Sequence, residues 1–240
     1  MSVLNLGEKE LEYEVVHSKE ASRIRIDVGF NGVKVVVPEK TSLNPEKFLE
    51  QKSGWVVEKQ KFFKSYLDKI PERNFVEGEK ISFLGKKREI KVSKSNSHKV
   101  TSDQIIVSKP YIGEKSLEEK VYQVLRRKAG EVIKEKVEKF SNHVKEEVNK
   151  VYIRDQKTKW GSCSSKNSLS FNWRICLGPE KVVDYIVVHE LVHLENRSHD
   201  EKFWEKVEEI LPDYEEHKNW LDERSHRLVF SKERFLDRIK

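Results

Sequence analysis

The sequence predicts an α+β protein, with a β-rich first part that contains one long helix and a second part that mixes helices with short strands. Apolar and polar residues alternate across residues 24–37, the period expected of strands with one buried face. Two longer segments, residues 44–70 and 116–148, repeat apolar residues at helical spacing. Strand patterns return at residues 151–173, between two helical patterns, which excludes an all-α or all-β protein.

The first predicted domain, residues 1–110, begins with a β-hairpin. Its two strands are joined at Asn31-Gly32, a pair that favours a two-residue turn. After a helix, short strands should run through residues 75–107, because strand patterns there are broken by glycine and by polar clusters. Residues 109–113 read as a connector to the second domain.

A long helix should follow the hairpin within this domain. Asn44 is a strong N-cap residue, Pro45 suits the first helical position, and Pro71 ends the pattern. We expect the apolar face of this helix to be buried; it carries Phe48, Leu49, Trp55, Val56, Phe62, Phe63, Tyr66, Leu67 and Ile70.

The second predicted domain, residues 111–240, begins with a helix that Ser116 caps. This helix should pack beside a later apolar helix at residues 179–196. Short strands are expected between the two helices, at residues 151–153, around Trp160 and at residues 169–173. Further helices, which are rich in charged residues, run towards the C-terminus.

The composition indicates a globular protein. Hydrophobic residues make up 36% and charged residues 37% of the 240 residues, enough for a core and a soluble surface. No apolar run approaches the roughly 18 residues of a membrane span, and the N-terminus lacks a signal-peptide pattern, so we expect a cytoplasmic protein. The net charge of +6 comes with interspersed Lys and Glu, which usually mark a solvated surface.

The most specific motif is His189-Glu190-Leu191-Val192-His193. Residues four apart on a helix project from one face, so His189 and His193 can bind the same metal ion. Glu190 lies one step round the helix, where it can take a proton from a metal-bound water as a general base. This arrangement is typical of zinc-dependent hydrolases, and Zn²⁺ is the predicted cofactor.

A catalytic zinc site needs a third protein ligand and an open fourth position, and His199 is the candidate for that ligand. It follows His193 by six residues, a spacing that resembles the metzincin proteases. Those enzymes have Gly at the position of Asn196, and Asn tolerates the left-handed backbone nearly as well. Ser198 and Glu201 form a capping-box pattern, which predicts a helix with His199 in its first turn.

Other interpretations of these residues remain. Buried histidines are often hydrogen-bonded core residues, but burying two of them with a glutamate is costly without a metal. A structural zinc site would need a fourth ligand and would leave Glu190 without a role. Cys163 could be a nucleophile beside a histidine, although zinc explains every motif residue better. Cys163 and Cys176 form no zinc-binding pair, and a disulfide between them would have to cross a hairpin.

The chain resembles the YgjP-like metallopeptidase domain family, whose relatives include the WLM and SprT-like proteases. The resemblance covers nearly the whole chain and rests on Thr158-Lys159-Trp160-Gly161-Ser162-Cys163-Ser164, on Leu169-Ser170-Phe171-Asn172-Trp173-Arg174, on the helix with His189 and His193, and on His199 with Phe203-Trp204 and Leu211-Pro212-Asp213-Tyr214. It implies a zincin-like (gluzincin-like or SprT-like) fold, in which a small antiparallel sheet lies beside the active-site helix. It also implies a zinc metallopeptidase with His189, His193 and His199 as ligands and Glu190 as catalytic base.

For such a peptidase, the expected partner is a peptide or an unfolded protein substrate. The strand around Trp160 could form a sheet edge to which an extended substrate adds as a further strand. Lys159 or Ser162 could then steady the oxyanion at the attacked carbonyl. Trp160 is a further candidate for contact with the substrate, although Trp160 and Trp173 are both more typical of core residues.

Two alternatives belong to other functional classes. The chain could be associated with nucleic acid, since SprT-like relatives act on DNA-bound proteins and Arg23, Arg25 and Lys34 on the hairpin could contact phosphates. It could also be a zinc-binding scaffold without catalysis, in which case a fourth protein ligand would fill the open position. Peptidase activity is the preferred prediction because Glu190 has no use in a scaffold.

Overall fold

The structure is a computed structural model that describes residues 2–6, 9–39, 43–94, 98–108, 116–156 and 159–239. The chain forms two compact units, Met1–Ile70 with Leu236–Lys240, and Pro71–Phe235. Both units mix strands with helices, so the predicted α+β class is confirmed. The units divide near residue 70, whereas strand patterns up to residue 107 placed the predicted boundary at residue 110, in a connector outside the described residues.

The first unit combines a four-stranded sheet with two helices. Its elements are β1 (Ser2–Leu6), β2 (Lys9–Ser18), β3 (Arg25–Gly29), β4 (Gly32–Pro38), α1 (Pro45–Gln51) and α2 (Ser53–Asp68). The sheet order is β1-β2-β4-β3, with β2 and β4 parallel and both outer pairs antiparallel. Leu11, Val35, Leu49 and Val56 are among the buried residues of its core.

The predicted helix of this unit starts as expected but is divided and only partly buried. Oδ1 of Asn44 accepts a hydrogen bond from the backbone N–H of Glu46 at 2.9 Å, so the predicted N-cap is confirmed. Lys52 interrupts the helix between α1 and α2. Trp55 and Phe62, which were expected in the core, are 45% and 55% exposed, because the helical pattern was wider than the face that the sheet covers.

The predicted hairpin is present, but its loop is shifted by one residue. Gly29 pairs with Gly32, so Phe30 and Asn31 are the two loop residues. Gly32 follows the loop with φ +96°, a backbone conformation that glycine adopts without strain.

In the second unit, two sheets accompany a bundle of helices. The first sheet contains β5 (Lys80–Phe83), β6 (Lys86–Ser93), β7 (Lys99–Val100) and β8 (Gln104–Ser108), in the order β5-β6-β8-β7. The second contains β9 (Lys150–Arg154), β10 (Gly161–Cys163) and β11 (Ser168–Asn172). The helices are α3 (Leu117–Ser141), α4 (Glu180–Val192), α5 (Glu201–Ile210) and α6 (Tyr214–Arg224); α7 (Lys232–Ile239) ends the described chain.

The helix predicted to pack beside the H-E-x-x-H helix does so. Ser116 caps α3 by accepting a hydrogen bond from the N–H of Glu119, as expected, and α3 packs on α4 and on β8. Lys136 of α3 forms a buried ion pair with Asp184 at 2.6 Å and a partly exposed one with Glu180 at 2.8 Å, and both join α3 to α4. None of the described helices is long and apolar enough to cross a membrane.

The sheet beside α4 is mixed, which corrects the antiparallel sheet that the family resemblance implied. Its order is β10-β11-β9, with β10 antiparallel and β9 parallel to the central strand β11. The reason is the connectivity, because β10 lies between β9 and β11 in sequence and reverses the chain before β11 returns beside β9. As a result, β10 is an edge strand next to α4.

Candidate metal centre

The C-terminal end of α4 carries the first two predicted ligands. The helix was expected to reach Asn196 but ends at Val192, whose carbonyl accepts the N–H of Asn196 at 2.9 Å. His193 is the C-cap residue, and its own N–H bonds to the carbonyl of His189. The two imidazole rings therefore lie one turn apart, with centroids separated by 4.8 Å.

All three predicted ligands come together. Nε2 of His199 lies 3.1 Å from Nε2 of His193 and 3.1 Å from Nε2 of His189. A tetrahedral zinc ion about 2.0 Å from each nitrogen would separate them by about 3.3 Å. In the part of the chain that the structure describes, no Cys, Asp or Glu side chain joins this group of possible donors, so the arrangement fits three-ligand zinc.

The hydrogen bond of His193 and the burial of His189 and His193 suit metal binding. Nδ1 of His193 lies 2.9 Å from the carbonyl oxygen of Asn196, which can only accept, so the ring proton is on Nδ1 and Nε2 keeps its lone pair. Burial lowers the pKa of His189 to about 3, and it lowers that of His193, where the hydrogen bond to Asn196 has a smaller, opposite effect. Both rings are therefore neutral at neutral pH, as metal ligands must be.

Asn196 shapes the loop before His199 through its side chain and not, as predicted, through a left-handed backbone. Its φ is not positive, unlike that of Asn167. Oδ1 of Asn196 accepts from the N–H of Ser198 at 3.0 Å, and Nδ2 donates to Oδ1 of Asp200 at 2.6 Å. These contacts close the loop on itself and explain why Asn serves here without the conformational freedom of glycine.

The predicted capping box is also corrected. Asp200, not Ser198, is the N-cap residue of α5, and its Oδ1 accepts from the N–H of Phe203 at 3.1 Å. Helix α5 begins at Glu201, so His199 lies before the helix and not in its first turn. Asp is as strong an N-cap as Ser, and its position just before the helical pattern was a signal for this start.

Phe203 forms an apolar platform under all three imidazoles, a role that sequence analysis missed. Its ring centroid lies 5.0 Å from that of His189, 4.6 Å from that of His193 and 4.9 Å from that of His199, and the side chain is fully buried. Trp204 stacks beside His199 at 5.8 Å. Helical spacing predicted both as apolar residues of α5, but spacing alone could not show which rings they would contact.

Glu190 is buried on the side of α4 that faces the edge strand β10. Burial raises its pKa to about 8, against a smaller opposite effect from the charge of Lys159. A Cβ at Gly161 would lie 2.5 Å from Oε1 and 2.6 Å from Cγ of Glu190, so only glycine leaves room for this carboxyl group. No local sequence pattern indicated this role for Gly161, because it depends on packing between distant segments.

The predicted substrate-binding residues lie on or just before β10. Lys159 is exposed, and Ser162 pairs in register with Ser170 of β11. Trp160 is half-buried against the core with the Arg174 guanidinium 5.5 Å from its ring centre, and Trp173 is fully buried, so the structure places both as expected. Thr158 lies outside the described residues.

Two buried polar residues, Asn172 and Arg174, hold the segment before β10. Nδ2 of Asn172 donates to the carbonyl oxygens of Gln156 and Lys159, and Arg174 pairs with Asp155 at 3.0 Å. Both residues stand in the motifs that carried the family resemblance, but their roles required the fold to be known.

The cysteines have no part in the metal group. Cys163 and Cys176 are free thiols, so the disulfide is absent. Burial raises the pKa of Cys163, although the nearby Arg197 charge acts in the opposite direction, and it raises that of Cys176 as well. Neither thiol has the lowered pKa of a nucleophilic cysteine.

Residues 22–224 match the family described as YgjP-like, metallopeptidase domain. The chain belongs to this family. The YgjP-like match includes all three histidines and Glu190, and a metallopeptidase family implies a metal-dependent hydrolase. The crystal structure of the metallopeptidase zymogen of Pyrococcus abyssi abylysin is similar at 21% identity over 39% of this chain and 95% of that chain, with a TM-score of 0.35. No curated protein matches significantly.

Proposed function

We propose that the chain is a zinc-dependent peptidase in which His189, His193 and His199 bind the metal through Nε2 and Glu190 is the general base. The observation that carries the proposal is the convergence of three Nε2 atoms on one point, with the buried carboxyl group of Glu190 on the same helix as two of them. Bound zinc supplies Lewis-acid chemistry, since it acidifies water and polarises a carbonyl group. Three protein ligands leave the fourth position that this chemistry needs.

Glu190 is proposed to take the proton of the attacking water and to pass it to the leaving amine. It must be ionised to do so, although burial alone holds its pKa at about 8. A divalent cation nearby favours the charged form and lowers this pKa. Gly161 leaves the carboxyl group no room on its strand side, so the base is held in one place.

The edge strand β10 is the proposed binding site for substrate. It pairs with β11 on one side, and Gly161 at its start lies against Glu190. An extended peptide that adds to the open side would place its backbone near the base. This mode favours a peptide or an unfolded protein, because a folded protein rarely offers a free extended segment.

Lys159 and Ser162 are proposed to assist at this strand. The charge of Lys159 acts on Glu190, and its ammonium group is the proposed stabiliser of negative charge on an attacked carbonyl. Ser162 offers a hydroxyl group from the strand itself.

No specific observation favours the two alternatives. On the hairpin, Arg25 pairs with Asp27 at 3.2 Å and Lys34 with Glu14 at 3.0 Å, so two of the three cations proposed for DNA already face carboxylates. A scaffold would need a fourth ligand, and the described residues supply three. Location in the cytoplasm remains a prediction.

The test combines metal analysis with hydrolysis of an unfolded protein. Wild type should bind one zinc ion and cleave the substrate, Glu190→Gln should keep the zinc and lose cleavage, and His193→Ala should lose both. Full cleavage by Glu190→Gln, or zinc bound equally by His193→Ala, would reject the proposal.

A further inference from the structure

The three proposed ligands are not held equally. His189 and His193 project from α4, whose backbone hydrogen bonds fix them. His199 is an exposed residue in the loop between α4 and α5; Phe203 and Trp204 of α5 contact its ring, but its backbone lies outside both helices. Side-chain bonds of Asn196 fix the local shape of the loop and link it to the N-cap of α5, but they do not reach β10.

Arg197, two residues before His199, forms hydrogen bonds that link this loop to a different element. Its Nη1 donates to the carbonyl oxygen of Ser164 at 2.8 Å and lies 2.8 Å from Sγ of Cys163. Its Nη2 donates to Oδ1 of Asn167 at 2.7 Å. All three acceptors belong to the end of β10 or to the turn that leads into β11.

This turn has a defined shape of its own. The N–H of Asn167 donates to the carbonyl of Ser164 at 3.0 Å, and the N–H of Ser168 donates to Oγ of Ser164 at 3.1 Å. Asn167 adopts the left-handed conformation with φ 54°, which Asn tolerates better than most residues. Arg197 therefore binds a turn of defined shape. Its planar guanidinium group can donate to several acceptors at once in this arrangement, which the ammonium group of a lysine could not.

The other end of β10 carries Gly161, which lies against Glu190. A single short strand thus contacts the proposed base at one end and the loop of the third ligand at the other. From this geometry we infer that Arg197 is a positioning residue that sets His199 relative to His189, His193 and Glu190. The inference rests on the proposed zinc site and extends it to a residue that binds neither metal nor substrate.

The test measures the zinc affinity of the metal-free full chain by competition with a chromophoric chelator, so it needs no peptidase activity. Arg197→Gln removes the hydrogen bonds of the guanidinium group. Arg197→Lys keeps the positive charge but loses the planar set of donors. Arg126→Gln is the matched control, because Arg126 is also exposed and donates to one carbonyl, that of Ile153 at 3.3 Å, away from the centre. Circular dichroism checks that each variant is folded.

We expect both Arg197 variants to bind zinc about ten- to a hundredfold more weakly, the usual effect of losing a group that orients a ligand. Arg126→Gln should bind as wild type. In a His199→Ala background, Arg197→Gln should cause no further loss, because its effect acts through the missing ligand.

Two results would overturn the inference: wild-type affinity in either Arg197 variant, or an equal loss in the His199→Ala background, which would mean that Arg197 acts on the fold in general. Failure of the proposed function looks different, since wild type would then bind no zinc or His199→Ala would bind it as tightly as wild type.

Discussion

Glu190 is the residue whose chemistry depends most on its surroundings. An exposed glutamate is ionised at neutral pH, whereas burial beside β10 raises the pKa of this one to about 8. The metal-free protein therefore holds a neutral carboxyl group where the proposed mechanism needs a carboxylate. It follows that metal binding and ionisation of Glu190 should be linked, each favouring the other.

The pH dependence of stability tests this burial. In the metal-free native state Glu190 keeps a proton up to about pH 8, whereas in the unfolded chain it loses it near the ordinary value of 4.5. Unfolding thus releases a proton, and the free energy of unfolding should fall as pH rises from about 5 to 8, by at most about 1.4 kcal/mol per pH unit. The free energy of unfolding of Glu190→Gln should not show this fall with pH.

Urea unfolding of both proteins with a chelator present, at several pH values, measures the effect. A difference between wild type and Glu190→Gln that stays constant with pH would contradict the burial of the carboxyl group.

Gly161→Ala should separate catalysis from metal binding. The new Cβ would lie within 2.8 Å of three Glu190 side-chain atoms, so the carboxyl group must move, and misplacing a base by about 1 Å can cost about a hundredfold in rate. We expect hydrolysis to fall at least tenfold while one zinc ion stays bound. Gly54→Ala is the control, because no heavy atom lies within 4 Å of a Cβ there. Equal activity in the two variants would be incompatible with the proposed contact.

At the residue scale, the sequence predicted the chemical types but not the contacts. His189, Glu190, His193 and His199 were selected from spacing, and the structure places the three histidines together. The contribution of Arg197 depends on a turn some thirty residues earlier in the chain, which no local pattern reveals.

At the scale of elements, packing against α3 holds α4, the helix that carries His189 and His193, in place. The side chains of Lys136 and Asp184 are 10% and 8% exposed, and their ion pair joins the two helices. Buried ion pairs are weak evidence of stability, but breaking one leaves a buried charge without compensation. This pair is therefore a point where α4 can be perturbed without touching a proposed ligand.

Lys136→Met should lower the free energy of unfolding by roughly 3–5 kcal/mol, because Asp184 would remain buried and unpaired. Lys128→Met is the matched control on the same helix, since Lys128 pairs with Glu131 at the surface and such pairs contribute about 1 kcal/mol or less. Urea denaturation measures both. Similar losses in the two variants would show that the α3–α4 pair has no special role.

Predictions of elements succeeded where a periodic pattern and a cap coincided. The Ser116 and Asn44 caps start helices as expected, and the three strands before α4 are present. The end of α4 and the start of α5 were misplaced, because side-chain bonds of Asn196 and Asp200 compete with the helical backbone there. The ends of these helices could therefore be predicted only with knowledge of tertiary contacts.

At the scale of the whole molecule, the two four-stranded sheets share one topology. The orders β1-β2-β4-β3 and β5-β6-β8-β7 match strand for strand, with a parallel central pair and antiparallel outer pairs in each, and helices follow both sheets in sequence. The sequence showed no internal repeat, because the topology is fixed by backbone hydrogen bonds that many side-chain patterns can satisfy. The mixed class was predictable from periodicity; strand order was not.

Zinc should stabilise the molecule unevenly. All proposed ligands lie in the second unit, so hydrogen exchange should slow mainly across residues 189–203 when zinc is added, and little across residues 2–70. Free zinc at a hundred times its dissociation constant would stabilise the native state by about 2.7 kcal/mol. Protection confined to the first unit would contradict this assignment.

We propose that one zinc ion is bound by three imidazole nitrogens, with a fourth position open to solvent. Zinc K-edge X-ray absorption of the zinc-loaded protein tests this coordination directly. We expect three nitrogen neighbours and one oxygen neighbour at about 2.0 Å, with one nitrogen lost in His199→Ala. A sulfur neighbour at about 2.3 Å, or a spectrum that His199→Ala leaves unchanged, would contradict it.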